Sequence, residues 1–217
     1  MRRAALLLGL ALGAASVANA RAPDLAQGRA VALGGGAGDQ QACAACHGAD
    51  GAGVMPIYPR LAGQAAFYLY KQLLDFRSGE RESAVMGPIA RRLTPREMED
   101  VAGFYAAARA HYSPPADADG AQLQQGGTLA ASGSEERGIP PCANCHGQAG
   151  RGMPPSFPYL AGQSKDYLAG QLAAFRNGSR RNDPLDVMRR IAGQLDTSDV
   201  SALAAYFAHV YPPARIQ

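Results

Sequence analysis

The chain has 217 residues, with 21 Lys or Arg against 18 Asp or Glu and a net charge of +3. This near balance gives no electrostatic reason to expect nucleic-acid binding, for which a basic surface is needed. The length suits one large or two small domains.

The first 20 residues have the composition of a secretory signal peptide. A basic start precedes an apolar run from Ala4 to about Ala15, and residues 18–20 form an A-x-A cleavage site. We therefore expect residues 1–20 to be removed on export, so that the mature chain begins at Arg21. The run is shorter than the roughly 20 residues of a membrane span, and an uncleaved anchor is the alternative. Export predicts a location in a bacterial periplasm.

Helical signals follow in the first half of the mature chain. Asp24 can cap a helix over residues 25–33, with a counterpart from about Leu123 to Ala131. Apolar side chains recur at helical spacing over residues 64–78, where a second helix is predicted, with Gly79 as its stop.

A third helix is predicted from a capping box at Thr94 to Glu97, with proline at the first helical position. This helix is expected to run to about His111. Asp196 and Asp199 open its equivalent in the second half. Since no segment has a convincing strand pattern, we predict an all-α fold with three helices in each half.

The pattern C-x-x-C-H occurs at residues 43–47 and again at 142–146, and the two copies use all four cysteines. In such a motif two thiols bond to the vinyl groups of a haem and the histidine binds its iron. A redox dithiol would need a βαβ context, and a zinc site would leave both histidines without a role. We therefore predict two covalently attached haem c groups. They would be held by Cys43, Cys46, His47, Cys142, Cys145 and His146.

The second half repeats the first at an offset of 99 residues, so that Cys43 aligns with Cys142. After the second helix the offset becomes 102, because the second half has three additional residues near 181–184. This pattern indicates duplication of a whole domain. We predict domains at 21–113 and 121–217, joined by a linker at 114–120. Other matched pairs are Gln64 and Gln163, Tyr68 and Tyr167, Gln72 and Gln171, Phe76 and Phe175, and Arg81 and Arg180.

The repeat also selects candidates for the second axial ligand of each iron. Met86 and Met188 align at offset 102 within the shared pattern V-M-x-x-I-A. Met55 and Met153 are one position out of register, and Met98 aligns with a valine. We predict iron coordination by His47 with Met86 and by His146 with Met188. A thioether ligand raises the potential and occupies the position at which a substrate would bind.

A bis-histidine arrangement with His111 and His209 is the alternative. Both histidines are predicted at the ends of third helices, where the helix dipole favours histidine without any metal. They do not align in the register that relates the two methionines.

The motifs CAACHGADGAG, P-x-Y-P-x-LAGQ and YLYKQLLDFRSGER, with the late methionine, resemble a class I cytochrome c domain of the cytochrome c4 type. The second half is similar along its whole length. The resemblance implies two tandem domains of three to four helices each, related by a pseudo-twofold axis, with haem edges close enough for electron exchange. It also implies that the carbonyls of Pro59 and Pro158 accept the N–H of the histidine ligands, which fixes the imidazole rings.

Family members are periplasmic, often loosely membrane-associated, and carry electrons from the cytochrome bc1 complex or other donors to terminal oxidases. The resemblance therefore implies a monomeric electron carrier with redox-protein partners, and not an enzyme. The alternatives are the cytochrome subunit of a larger dehydrogenase, such as a flavocytochrome sulfide dehydrogenase, and a dihaem peroxidase. The arginine pairs at 91–92 and 189–190 are candidates for propionate binding or partner docking, with solvated surface charge as the other interpretation.

Overall fold

The computed structural model describes residues 21–34, 42–116 and 119–213. The predicted signal peptide at 1–20 lies outside the described residues. Within them the fold is all-α, which confirms the predicted class, and the only extended pairings there are isolated bridges. The helices are Leu25–Gly34 (α1), Ala44–His47 (α2), Ala66–Ser78 (α3), Met86–Arg92 (α4), Pro95–Ala107 (α5), Gly120–Ser132 (α6), Ala143–His146 (α7), Lys165–Arg176 (α8), Val187–Gly193 (α9) and Thr197–His209 (α10).

The first and last helices of each half cross at a glycine. A Cβ atom on Gly28 of α1 would lie 2.0 Å from the carbonyl oxygen of Asp100 in α5. A Cβ atom on Gly126 of α6 would lie 2.1 Å from the carbonyl oxygen of Ala202 in α10. Only glycine allows two backbones to approach this closely. The crossing positions the last helix of each half so that it lines the interior cavity.

Capping boxes begin the last helix of both halves, where the sequence predicts them. The side chain of Thr94 accepts the N–H of Glu97, and that of Asp196 accepts the N–H of Asp199. In return, each residue at the third helical position bonds to the backbone of its cap. These bonds satisfy backbone donors that a helix start leaves free.

The end of α5 differs from the sequence prediction. The helix stops at Ala107, and not near His111. The guanidinium of Arg60 donates hydrogen bonds to the carbonyls of Ala110 and His111, at 2.6 and 3.1 Å. Because this tertiary contact binds the carbonyls from outside, the chain leaves the helix before the prolines that were expected to end it.

The segments that carry Met86 and Met188 form short helices in addition to the three helices predicted for each half. Met86 is the first residue of α4, and Met188 is the second residue of α9. Helix α6 begins at Gly120, three residues before the predicted start, because the Asp119 side chain accepts backbone N–H groups of its first turn.

The two halves meet through reciprocal hydrogen bonds. The side chain of Gln163 accepts the N–H of Arg60 at 2.8 Å and donates to its carbonyl at 3.0 Å. In the same way, Gln64 accepts the N–H of Tyr159 at 3.2 Å and donates to its carbonyl at 3.1 Å. Equivalent residues that exchange equivalent bonds are the mark of a twofold relation. Both glutamines come from the repeated LAGQ sequence.

Candidate functional site

A continuous cavity of about 1340 Å³ runs through both halves. Its volume exceeds the roughly 300–1,000 Å³ of a typical small-molecule pocket, so it has room for more than one group. The lining is mainly apolar, with aromatic and aliphatic side chains from both cores. It includes all ten predicted site residues, which are Cys43, Cys46, His47, Pro59, Met86, Cys142, Cys145, His146, Pro158 and Met188.

Each C-x-x-C-H motif forms a single helical turn that presents its reactive groups to this cavity. Cys43 precedes α2 with helical φ and ψ, and the N–H of His47 donates to its carbonyl at 2.9 Å. Side chains three and four residues apart share one face of a helix. Both thiols and the histidine of a motif therefore face the same space, as attachment to one haem requires.

The four thiols form no disulfide. Burial raises the pKa of Cys43, and it raises the pKa of Cys142 to about 11. A reactive dithiol needs a lowered thiol pKa, since the thiolate is the nucleophile. The environment of these cysteines is therefore unlike that of a redox dithiol.

The two histidines are held in a form that can bind a metal. The Nδ1 atom of His47 lies 3.0 Å from the carbonyl oxygen of Pro59, and Nδ1 of His146 lies 2.9 Å from that of Pro158. Because a carbonyl only accepts, Nδ1 carries the proton and Nε2 keeps its lone pair. Burial lowers the pKa of both histidines, against the opposing effect of these bonds, and so favours the neutral ring.

Met86 and Met188 line the cavity at the starts of α4 and α9. The Ser83 hydroxyl accepts the N–H of Met86 at 3.0 Å, which fixes the start of α4. The remaining internal methionines lie elsewhere. Met55 and Met153 are 53% and 46% exposed, and Met98 is fully buried in the core of the first half.

The two histidines of the bis-histidine alternative do not line the cavity. His111 is exposed, and its Nε2 atom lies 3.0 Å from the Ser113 hydroxyl. Both ring nitrogens of His209 face backbone carbonyls, those of Ala205 and Pro115. Ligation by either residue would require the chain to leave the positions described.

Two arginines that sequence reasoning did not single out as functional lie in the cavity wall. Arg81 and Arg180 are 7% and 8% exposed and contact each other's domain. Their match in the repeat was the available signal. By contrast, the arginine pairs at 91–92 and 189–190 do not line the cavity.

Comparisons with known proteins identify the family. A family model described as Cytochrome c matches residues 31–106 and 139–210. A cytochrome c4 of Pseudomonas aeruginosa is 36% identical over 95% of this chain and 98% of its own length. This chain belongs to the cytochrome c4 family. Cytochrome c4 proteins are dihaem electron carriers with His/Met ligation, and each C-x-x-C-H motif of this member indicates one covalent haem c.

Two further similarities extend the comparison. The reduced recombinant cytochrome c4 from Pseudomonas stutzeri superposes with a TM-score of 0.79 at 33% identity, over 88% of this chain and 100% of the other. A "Thiosulfate dehydrogenase electron acceptor" of Stutzerimonas stutzeri (strain A1501) is 48% identical over 78% of this chain and 79% of its own length. The first similarity supports the fold of both domains together, and the second comes from a relative named for its electron donor.

Proposed function

We propose that this family member is a periplasmic electron carrier that accepts electrons from a thiosulfate dehydrogenase and passes them to a terminal oxidase. In it, His47 and Met86 would bind one iron, and His146 and Met188 the other. The observation that carries the proposal is that these four side chains line one apolar cavity, with each histidine Nδ1 bonded to a proline carbonyl.

The proposed ligand set supports a carrier because it would fill every coordination position of each bound iron. A bound haem supplies a one-electron couple, and the soft methionine thioether favours its ferrous state. With a histidine and a methionine as its ligands, each bound iron would have no coordination position left for peroxide or oxygen. Pro59 and Pro158 keep the imidazole rings oriented, which limits rearrangement when the charge on the iron changes.

The donor is proposed from the relative of Stutzerimonas stutzeri, whose name states that it accepts electrons from thiosulfate dehydrogenase. Its 48% identity is higher than the 36% of the cytochrome c4 from Pseudomonas aeruginosa. The cytochrome bc1 complex is the competing donor, since relatives named only cytochrome c4 are also similar along nearly the whole chain.

A reduction experiment separates these donors. The oxidised holoprotein is mixed with thiosulfate and a purified thiosulfate dehydrogenase, and haem reduction is followed by absorbance. We expect reduction by two electrons per chain, and none with either component alone. Reduction by a quinol and the bc1 complex, with none by the dehydrogenase, would overturn the donor and leave the carrier function intact.

The periplasmic location is proposed from the composition of residues 1–20. In residues 21–34, 42–116 and 119–213, no helix is long and apolar enough to cross a membrane. N-terminal sequencing of the exported holoprotein tests the location and the cleavage together. Arg21 is expected as the first residue, and a chain that still begins at Met1 would support the uncleaved anchor.

A further inference from the structure

Arg81 and Arg180 face each other across the boundary between the domains. They form an isolated antiparallel bridge, and each guanidinium carbon lies over a phenylalanine ring of its own domain, at 4.6 and 4.4 Å from the ring centre. Their hydrogen bonds cross the boundary in both directions. Arg81 donates to Tyr167 and Gln171, at 2.9 and 2.6 Å, and Arg180 donates to Tyr68 and Gln72, both at 3.2 Å.

Neither of these buried cations forms an ion pair in the part of the chain that the structure describes. Their hydrogen-bond partners there are amides and phenols, which are neutral. Asp75, the one carboxylate bonded to this network among the described residues, pairs with Lys71 at 2.5 Å. Three cations and one carboxylate leave a net charge of +2. Burial of a charge without a counter-charge costs free energy. The cluster therefore favours the binding of an anion.

The pKa of Tyr167 reflects the same positive charges. Burial acts to raise the pKa of its phenol, but the charges and hydrogen bonds of Arg81 and Arg180 together outweigh burial, and the pKa is lowered. A buried tyrosine ordinarily has a raised pKa. The cluster therefore stabilises negative charge at the point where the two domains meet.

Both arginines also line the cavity that contains the two C-x-x-C-H motifs. Haem c is apolar over most of its surface and has two propionate carboxylates at one edge. We infer that Arg81 and Arg180 form one shared carboxylate-binding site, which takes propionates from both haems and raises the reduction potentials of both. The inference rests on the two haem groups and does not depend on which donor reduces them.

The effect on the potentials follows from charge. Reduction of a haem adds one negative charge, so a nearby cation favours the reduced form. At a separation of about 10 Å and an effective dielectric constant of about 20, one unit charge changes the equilibrium constant of reduction roughly tenfold. For a one-electron couple a tenfold change is about 59 mV. Because each arginine bonds to the opposite domain, one substitution reaches both haems.

The test separates the effect of the arginine charge from the effect of side-chain packing. Spectroelectrochemical titration is carried out on the holoprotein and on the variants Arg81→Gln, Arg81→Lys, Arg180→Gln and Arg92→Gln. Arg92 is the matched control, because it is exposed and does not line the cavity. We expect Arg81→Gln and Arg180→Gln each to lower the reduction constant of both haems roughly tenfold. Arg81→Lys keeps the charge and should recover most of that loss, and Arg92→Gln should change neither haem by more than about twofold.

Three outcomes would overturn the inference. If Arg81→Lys and Arg81→Gln lower the reduction constants equally, the effect is due to packing and not to charge. Unchanged potentials in Arg81→Gln would show that its charge is remote from the haems. Potentials of the unmutated protein that vary with added sulfate or phosphate, at constant ionic strength, would mean that a free anion occupies the site.

A measurement without substitutions covers the case in which the glutamine variants fail to bind haem. In the reduced, unmutated holoprotein, NMR should show nuclear Overhauser contacts between arginine guanidinium protons and propionate methylene protons of both haems. Contacts from Arg81 and Arg180 are expected. Their absence for both arginines would contradict the shared site.

Discussion

The two halves of this molecule agree where histidine is positioned and differ where methionine is positioned. The histidine-to-proline distances are 3.0 and 2.9 Å, and equivalent glycines mark the helix crossings. The second half has three additional residues immediately before the segment that carries Met188. Duplication has therefore preserved the segments that contain the C-x-x-C-H motifs and their proline partners, while the segment before the methionine has diverged.

The divergence has a structural cost in the second half. Ser83 anchors the start of α4 through the N–H of Met86. In the second half, Asp183 instead accepts the N–H of Arg189, and Leu185 and Asp186 adopt left-handed φ values of 59° and 56°. A left-handed φ value costs about 1–2 kcal/mol of conformational free energy for a residue with a side chain. The approach to Met188 is thus more strained than the approach to Met86.

The same insertion makes the domain boundary unequal. Asn182 extends from the second half to bond with Gln72 and Asp75, and its carbonyl accepts from Lys71 at 3.0 Å. The repeat places Gly170 and Ala174 opposite Lys71 and Asp75, so the second half has no equivalent ion pair. The two haems therefore lie in related but unequal electrostatic surroundings.

The largest expected effect comes from replacing one axial ligand at a time. Met86→Ala and Met188→Ala should each abolish the weak methionine-to-iron charge-transfer band of one oxidised haem and leave that of the other, because each thioether is proposed to bind a separate iron. Absorbance of the oxidised holoprotein measures the band. Met55→Ala is the control, since Met55 is exposed and lies outside the cavity lining. An unchanged band in Met188→Ala would remove that residue from the ligand set.

Substitution of the crossing glycines tests whether the two frameworks are equivalent. Gly28→Ala and Gly126→Ala should each destabilise the domain concerned by about 3 kcal/mol or more, because the new Cβ would overlap a backbone carbonyl. Denaturant unfolding followed at each haem measures the loss. Gly170→Ala, where a Cβ meets nothing within 4 Å, is the matched helical control and should be neutral or stabilising. Equal behaviour of the three variants would contradict the close-contact explanation.

The positions of the site residues could be predicted because their chemistry is local or repeated. Each C-x-x-C-H motif folds as one helical turn, and the register of the repeat selects methionines that line the cavity. The role of Arg81 could not be predicted, because its partners Tyr167 and Gln171 belong to the other half. The early end of α5 was missed for the same reason, since Arg60, distant in sequence, binds the carbonyls involved.

Alkaline pH should distinguish the halves through Tyr159, whose equivalent in the first half is Arg60. The Tyr159 hydroxyl donates to the Ala62 carbonyl at 2.6 Å, and burial raises its pKa to about 12. Because the folded pKa lies above the unfolded value of about 10, folding favours the neutral phenol. The resulting contribution to the free energy of unfolding is complete below pH 10 and amounts to about 3 kcal/mol. It is lost as the pH rises through 12.

Denaturant unfolding of the holoprotein and of Tyr159→Phe, from neutral pH to above pH 12, measures this dependence. The phenylalanine variant should be less stable at neutral pH, where the hydrogen bond is lost, and its disadvantage should shrink between about pH 10 and about pH 12. Parallel stability curves over that range would show that the tyrosine does not titrate with a raised pKa.

The smallest expected effect is relief of the strain before Met188. Leu185 is 83% exposed and has a φ of 59°, so Leu185→Gly should stabilise the second domain by about 0.5–1 kcal/mol. Val85, also exposed but with a φ of −93°, is the control in the first domain. Val85→Gly should be destabilising by up to about 1 kcal/mol. Thermal unfolding measures both changes, and destabilisation by Leu185→Gly would mean that its side chain contributes more than its backbone costs.

The central claim, that both irons are closed and serve only to carry electrons, is tested most directly on the unmutated holoprotein. Electron paramagnetic resonance of the oxidised protein, combined with a reductive titration, counts the haems and reports their spin states. Two low-spin signals and the uptake of two electrons per chain are predicted. A high-spin haem in the native protein would show an open coordination position and would contradict the proposed methionine ligation at that iron.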